Sequence, residues 1–181
     1  ETGSAQVRVN INPVNDPPTG LSLTKNEIIE NAAAGTLIGK FKVEDADTDD
    51  KFKFGIAKEN RKDFSLDGSN LLSKRPFNHE EDKSFTIAVQ ITDSGNEKIV
   101  DEVIINVTNE NEKPIFINSK EASFSHLESA GKIVGRLKVE DPDENQSNVK
   151  YRLTKSEDKD HFKITRTGDL AFLRAPDFEN P

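Results

Sequence analysis

The sequence predicts an all-β protein made of tandem Greek-key β-sandwiches arranged end to end, and three observations lead to this prediction. Apolar and polar residues alternate over segments such as 84–92 and 98–108, as expected for strands with one buried and one solvated face. Short runs of Asp, Gly, Ser and Asn, such as 67–70 and 93–96, interrupt these segments like turns. The whole pattern then repeats along the chain.

The repeat is visible as an ordered series of matches. Residues 35–47 return as residues 131–143, with the two Asp-x-Asp triplets 96 positions apart, and Pro18 and Pro114 keep the same separation. Further downstream the matches continue at slightly larger separations, as insertions in loops would cause. Because each copy spans about 96 residues, we expect one sandwich per copy.

The repeat phase divides the chain into three parts. Residues 4–16 are expected to form the last strand and linker of a preceding repeat, and residues 17–112 a complete repeat. Residues 113–181 are expected to form a second repeat that is truncated before its last two strands. Such a sandwich would leave strand edges unpaired, so we expect either a chain that continues beyond Pro181 or a strand added by a neighbouring molecule. The predicted strands of the complete repeat are 21–28, 36–44, 51–57, 63–66, 70–74, 84–92 and 98–108.

Composition argues against several functions. The net charge of −8 does not suit nucleic-acid binding, which needs a basic face. The absence of Cys excludes disulfides and thiolate chemistry. No apolar run approaches the roughly 20 residues that span a bilayer, so direct membrane insertion by this segment is not expected. We find no nucleophile motif, phosphate loop or redox residue, and the sequence therefore predicts a protein that is not an enzyme.

Acidic residues are concentrated where predicted strands end. In the complete copy these are Glu30, Asp45, Asp47, Glu80 and Asp93. The segment that leads to the next copy adds further oxygen ligands, namely Asn109, Asn111 and Glu112. Several carboxylates brought to one end of a sandwich repel one another unless a cation neutralises them. Calcium takes roughly 6–8 oxygen ligands in loose geometry, and the sequence therefore predicts calcium as the bound ion.

The order and spacing of these motifs resemble the cadherin repeat over essentially the whole of residues 4–181. The matching motifs in the complete copy are Glu30-Asn31, Asp45-Ala46-Asp47, Asn78-His79-Glu80, Thr92-Asp93 and Asn111-Glu112-Lys113-Pro114. The preceding linker and the second copy add Asn15-Asp16-Pro17-Pro18, Leu127-Glu128-Ser129, Asp141-Pro142-Asp143 and Asp177-Phe178-Glu179-Asn180. The resemblance implies a cadherin- or immunoglobulin-like sandwich with calcium between successive repeats.

By this resemblance, two sets of calcium ligands are expected. One junction would use Glu30, Glu80, Asn111, Glu112, Asp141 and Asp143. The other would use Asn15, Asp16, Asp45, Asp47 and Asp93.

The linkers depart from the family pattern. Asn78 stands where cadherins usually have Asp, Glu112 replaces a linker Asp, and Pro13 replaces another. Shortened linkers of this kind are more similar to bacterial and atypical surface cadherin repeats than to the repeats of vertebrate classical cadherins. We therefore expect fewer or weaker ions than a full set.

Other polar residues are expected to be unspecialised. Asp49, Asp50, Glu81 and Asp82 are interpreted as plain surface residues, and the three His residues are not spaced as metal ligands. Two sequons make Asn106 and Asn145 candidate glycosylation acceptors.

The resemblance implies an extracellular adhesion or spacer segment, at the cell surface or secreted, that calcium rigidifies. Its expected partner is another cell-surface or extracellular protein, and homophilic and heterophilic contacts remain open. The chain contains no Trp, so strand-swap adhesion is not expected. The alternative is a carbohydrate- or protein-binding module of a receptor, adhesin or secreted enzyme. Tyr151 is the only Tyr, which disfavours a sugar site built on polar aromatic residues.

Overall fold

The structure is a computed structural model that describes residues 3–12, 14–117, 123–127, 132–143, 149–155 and 157–179. Pro13, Glu128, Asn145 and Asn180, which carry expectations stated above, lie outside the described residues. Two units are distinguished, Glu1–Asn109 and Glu110–Pro181. The assignment of residues 4–16 to a preceding repeat and the truncation of the second repeat stay predictions.

The first unit is a sandwich of two four-stranded sheets. Its strands are β1 (Gly20–Leu23), β2 (Glu27–Ile29), β3 (Leu37–Glu44), β4 (Lys53–Ile56), β5 (Phe64–Asp67), β6 (Asn70–Ser73), β7 (Ser84–Thr92) and β8 (Lys98–Thr108). The sheet orders are β1-β3-β6-β5 and β2-β8-β7-β4. All neighbours are antiparallel except β2, which runs parallel to β8. A short 3-10 helix, Lys58–Lys62, connects β4 to β5. The predicted all-β sandwich fold is confirmed.

The core lies between the two sheets and follows the predicted alternation. On β7, Ile87, Val89 and Ile91 are fully buried, whereas Gln90 between them is exposed. The opposite sheet contributes Phe64, among others. Burying each such side chain contributes about 1.5–3 kcal/mol, and this gain selects the register in which the apolar residues face inward.

The first predicted strand, 21–28, is wrong as a single element, because the chain changes sheets within it. β1 pairs with β3 in one sheet, and β2 pairs with β8 in the other. In passing between them the chain crosses closely over Gly39, where an added Cβ would lie 2.3 Å from the Lys25 carbonyl oxygen. Pairing between β3 and β6 is also irregular at Leu37/Gly39. A Gly in a strand often marks such a close approach.

The second unit repeats part of this sandwich. Its strands are β9 (Ile115–Phe116), β10 (Ile133–Arg136), β11 (Val139–Glu140), β12 (Phe162–Ile164) and β13 (Asp169–Phe172). They form the sheets β10-β13-β12 and β11-β9, and a 3-10 helix, Glu157–His161, precedes β12. The β10–β13 pairing is irregular at Ile133/Gly135, the positions that match Leu37/Gly39. A Cβ at Gly135 would lie 2.3 Å from the Phe124 ring, so the equivalent glycine is closely approached in both units, by a side chain here and by backbone at Gly39.

Residues 3–12 form no strand, although their alternation predicts one. Val7, Val9 and Ile11 are all strongly exposed. A strand requires a neighbour with which to exchange backbone hydrogen bonds, and no described segment pairs with these residues. The described part of the chain has no helix with the length and apolar character needed to cross a bilayer.

Candidate metal centre

An acidic cluster lies where β3 and β7 of the first unit end. β3 leads into the loop that contains Asp45 and Asp50, and β7 is followed directly by Asp93. One carboxylate oxygen from each of these three residues lies within 4.8 Å of the other two. Two unit charges 4 Å apart repel by about 4 kcal/mol at an effective dielectric constant near 20. Among the described residues, no ion pair includes any of the three, so their charges remain uncompensated.

Hydrogen bonds position this cluster but leave two buried oxygens without a donor. The Asp45 Oδ1 atom accepts a bond from the Asp47 backbone N–H at 2.9 Å, and Asp50 Oδ1 accepts one from the Ser94 hydroxyl. The Oδ2 atoms of Asp45 and Asp50 are buried and have no hydrogen-bond partner among the described residues. A buried polar atom without a partner is costly. A bound cation would satisfy both oxygens at once.

The segment before β1 is docked onto this cluster. Asn15 Nδ2 donates to Asp93 Oδ2 at 3.0 Å, while Asp93 Oδ1 accepts a bond from the Glu97 N–H at 2.7 Å. The Asp16 N–H donates to Asp47 Oδ2 at 2.8 Å. Asp93 is only 3% exposed. The structure therefore brings together the five residues predicted for this site.

Gly95 allows the close approach of this segment. A Cβ at this position would lie 2.4–2.5 Å from the side-chain atoms of Asn15.

A second pair of carboxylates, Glu30 and Glu80, lies elsewhere in the first unit. Glu30 follows β2 and is 1% exposed. Its Oε2 atom accepts a bond from the His79 N–H at 2.9 Å. Glu80 Oε1 accepts one from Asn109 Nδ2 at 3.0 Å, whereas Glu80 Oε2 is buried and no donor in the described part of the chain reaches it. Carboxylate oxygens of Glu30 and Glu80 lie within 4.8 Å of each other.

The second unit reproduces the linker geometry of the first. The Glu112 N–H donates to Asp143 Oδ2 at 2.7 Å, and the Asp143 N–H donates to Asp141 Oδ1 at 3.3 Å. Asp16, Asp47 and Asp45 make the corresponding bonds 96 positions earlier. Within this unit, the side-chain amide of Asn111 is exposed and donates to the Glu112 carbonyl oxygen at 3.0 Å.

Comparisons with known proteins agree with this repeated geometry. No family model matches the chain. Protocadherin-16 of Mus musculus is 30% identical over 183 residues, covering 93% of this chain and 6% of that protein. Cadherin-5 of Bos taurus is 26% identical over 195 residues, covering 94% of this chain and 24% of that protein. The crystal structure of human Protocadherin-24 EC1-2 (form II) has a TM-score of 0.68 at 19% identity, covering 86% of this chain and 80% of that chain.

The chain consists of cadherin repeats. These repeats are extracellular modules, and their relatives are cadherins rather than enzymes. The chain spans less than a quarter of the length of Cadherin-5 and a much smaller share of Protocadherin-16.

The acidic cluster of the first cadherin repeat contains one residue that sequence reasoning missed. We expected Asp50 to be a plain surface residue, and this expectation is wrong. Asp50 is half-buried and faces Asp45 and Asp93, because the loop turns back before β4 begins at Lys53. Its position in a short acidic loop between two strands was the available signal. Asp49 is exposed, as expected.

Of the two candidate glycosylation sites, Asn106 lies within the described residues and Asn145 does not. Asn106 lies on β8 of the first cadherin repeat with an exposed side chain. Its modification stays a prediction.

Proposed function

We propose that this chain is a calcium-binding segment of an extracellular adhesion or spacer protein. The observation that carries the proposal is the cluster of Asp45, Asp50 and Asp93, with two buried carboxylate oxygens that lack donors. Asn15, Asp16 and Asp47 supply further oxygen ligands beside it. Calcium bound here would cancel the repulsion and satisfy the buried oxygens.

The donor set favours calcium over other biological metals. All the clustered side chains offer oxygen, the donor atom of hard cations. Zinc sites prefer thiolate and imidazole ligands, and the chain has no Cys. His79, beside Glu80, already has its Nδ1 atom 2.8 Å from the Val107 carbonyl oxygen. Magnesium demands near-ideal octahedral geometry, to which a set of hydrogen-bonded loop carboxylates is poorly suited.

Glu30 and Glu80 are proposed as further ligands because their carboxylate oxygens lie within 4.8 Å of each other. In addition, Glu80 Oε2 is buried and has no hydrogen-bond partner among the described residues. The assignment of Asn111, Glu112, Asp141 and Asp143 stays a prediction, supported by the linker geometry that the two repeats share. The proposed role of calcium is to rigidify the protein. The proposed partner of the protein is another cell-surface or extracellular protein.

Calcium is expected to raise the melting temperature, because it binds the folded clusters and not the unfolded chain. At one hundred times its dissociation constant, a ligand contributes about 2.7 kcal/mol. Thermal unfolding in millimolar calcium and in excess chelator, with magnesium as the comparison ion, measures this gain. Equal melting temperatures in calcium and chelator would exclude the proposed function.

The variant Glu80→Gln should bind calcium more weakly, since it retains the side-chain shape and removes a ligand charge. Glu81→Gln is the matched control, because Glu81 is exposed and forms no hydrogen bond or ion pair with the residues that the structure describes. Calorimetric titration should show a reduced affinity or stoichiometry for the first variant alone. Indistinguishable titrations of the two variants would refute the role of Glu80.

The variant Asn78→Asp should bind calcium more tightly, because it adds a charge next to Glu80 without disturbing the local turn. Asn78 Oδ1 accepts a bond from the Glu80 N–H at 2.8 Å. In the second repeat, Asp177 accepts the equivalent bond from the Glu179 N–H at 3.1 Å, so a carboxylate fits this turn. A calcium titration that matches that of the unmodified protein would contradict this prediction.

A further inference from the structure

Arg75 links Asp82, in the turn that carries Glu80, to Asp63 in another part of the first repeat. Its Nε atom donates to Asp63 Oδ1 at 2.7 Å, and its Nη2 atom donates to Asp82 Oδ2 at 3.2 Å. The guanidinium also lies over the Phe77 ring, 4.9 Å from its centroid. A planar guanidinium can bind two carboxylates and stack on an aromatic ring at the same time, which an ammonium group cannot do.

One end of this arrangement is anchored in the core. The Asp63 side chain is 6% exposed and Phe77 is 1% exposed. The hydrogen bond with Asp63 raises the pKa of Arg75 above its ordinary value. The other partner, Asp82, lies at the surface as expected, with a side chain that is 40% exposed, but it is not unspecialised because it forms an ion pair with Arg75. Arg75 therefore ties an outer loop residue to the buried part of the sandwich.

Asp82 lies in the turn that orients Glu80. The Asp82 N–H donates to the Asn78 carbonyl oxygen at 2.9 Å, and this hydrogen bond closes a turn formed by residues 78–82. The Asn78 side chain in turn accepts the bond from the Glu80 N–H. Holding Asp82 through Arg75 thus fixes the end of the turn that determines the direction of Glu80.

We propose that Arg75 is a positioning residue for calcium binding, acting through Asp82 to hold the Glu80 turn in its binding geometry before the ion arrives. This inference rests on the proposed calcium function. It deepens that function by assigning a role in calcium binding to Arg75, whose positively charged side chain cannot itself be a calcium ligand. Without the Arg75–Asp82 contact, the turn would have to become ordered during binding, and this cost would lower the affinity.

Two variants distinguish a positioning role of Arg75 from a general effect of its charge and from a loss of folding. Arg75→Lys keeps the charge but cannot bridge both carboxylates. Asp82→Asn removes the charge of the outer ion pair, which weakens this contact, and it leaves the buried Arg75–Asp63 pair intact. Glu81→Gln is the control for Asp82→Asn, because it makes the same charge change one residue away without a contact to Arg75. Asp82→Glu restores the carboxylate and should rescue binding.

Calcium affinity at this site can be followed by NMR titration of the side-chain amide of Asn109, which donates to Glu80 Oε1. Arg75→Lys and Asp82→Asn should weaken binding about tenfold, in the range observed when partners of metal ligands are removed. Glu81→Gln and Asp82→Glu should change it by about twofold or less, the difference expected of an exposed charge.

Amide exchange in chelator provides a readout that does not depend on calcium. The Glu80 and Asp82 amides should exchange faster in Arg75→Lys and Asp82→Asn, while amides of β7 keep their protection. Unchanged exchange of the turn, or equal affinity losses in Asp82→Asn and Glu81→Gln, would overturn the inference. Faster exchange in a protein that binds no calcium would reject the proposed function and leave the contact between Arg75 and the turn established.

Discussion

Asp50→Asn is expected to lower calcium affinity by about 10- to 100-fold, a loss of roughly 1.4–2.8 kcal/mol. The carboxylate of Asp50 contributes one of the two buried oxygens without a donor in the acidic cluster, and Asn cannot replace its charge. In chelator, where no calcium is bound, the effect of Asp50→Asn on the stability of the protein should have the opposite sign. The variant should then be at least as stable as the unmodified protein, because three mutually repelling carboxylates have become two.

Asp49→Asn is the matched control, since it makes the same substitution one residue earlier. Asp49 is exposed and, within the described ranges of the chain, has no hydrogen bond or ion pair. Its melting curves in calcium and in chelator should stay close to those of the unmodified protein. Should Asp49→Asn and Asp50→Asn lose the same calcium-dependent stabilisation, Asp50 would act only through the general charge of the loop and not as a ligand.

Gly39→Ala is expected to destabilise the first cadherin repeat by about 3 kcal/mol, at the upper end of the usual cost of overpacking. The new Cβ would lie 2.3 Å from the Lys25 carbonyl oxygen and 2.9 Å from Leu23 Cγ. A backbone oxygen cannot move aside as the end of a long side chain can. Because 1 kcal/mol shifts the melting temperature of a domain of 60–100 residues by about 4–8 °C, a fall of about 12 °C or more should be seen.

Gly55→Ala tests whether this effect is specific to the crossing. Gly55 also lies within a strand, β4, but no atom of another described residue lies within 4 Å of the position of its added Cβ. Ala should therefore be neutral or slightly stabilising there, since Gly in a strand interior costs about 0.5–1 kcal/mol. A melting temperature for Gly39→Ala equal to that of Gly55→Ala would mean that the chain does not cross closely over Gly39.

The sandwich was predictable because its strands carry local signals. The alternation over β7 and β8 matches the observed inward and outward faces. The turns at 67–70 and 93–96 also separate observed strands. The first strand was predicted less well. Its apolar pattern is the same whichever sheet it joins, and its division into β1 and β2 depends on β3 and β8, which lie far along the chain.

The sequence by itself determined the repeat, the β-sandwich class, and which loops carry acidic residues, because periodicity and motif spacing are local properties. Only the tertiary structure decided which carboxylates face one another. Asp49 and Asp50 are identical in type and adjacent in sequence, yet one is exposed and the other joins Asp45 and Asp93. Likewise, the link from Arg75 to the Glu80 turn requires Asp63, Phe77 and Asp82 to meet around one guanidinium. These contacts join residues that are far apart in the sequence and depend on how loops from different strands pack together. Periodicity and motif spacing are local along the chain, so they do not show which distant side chains come into contact.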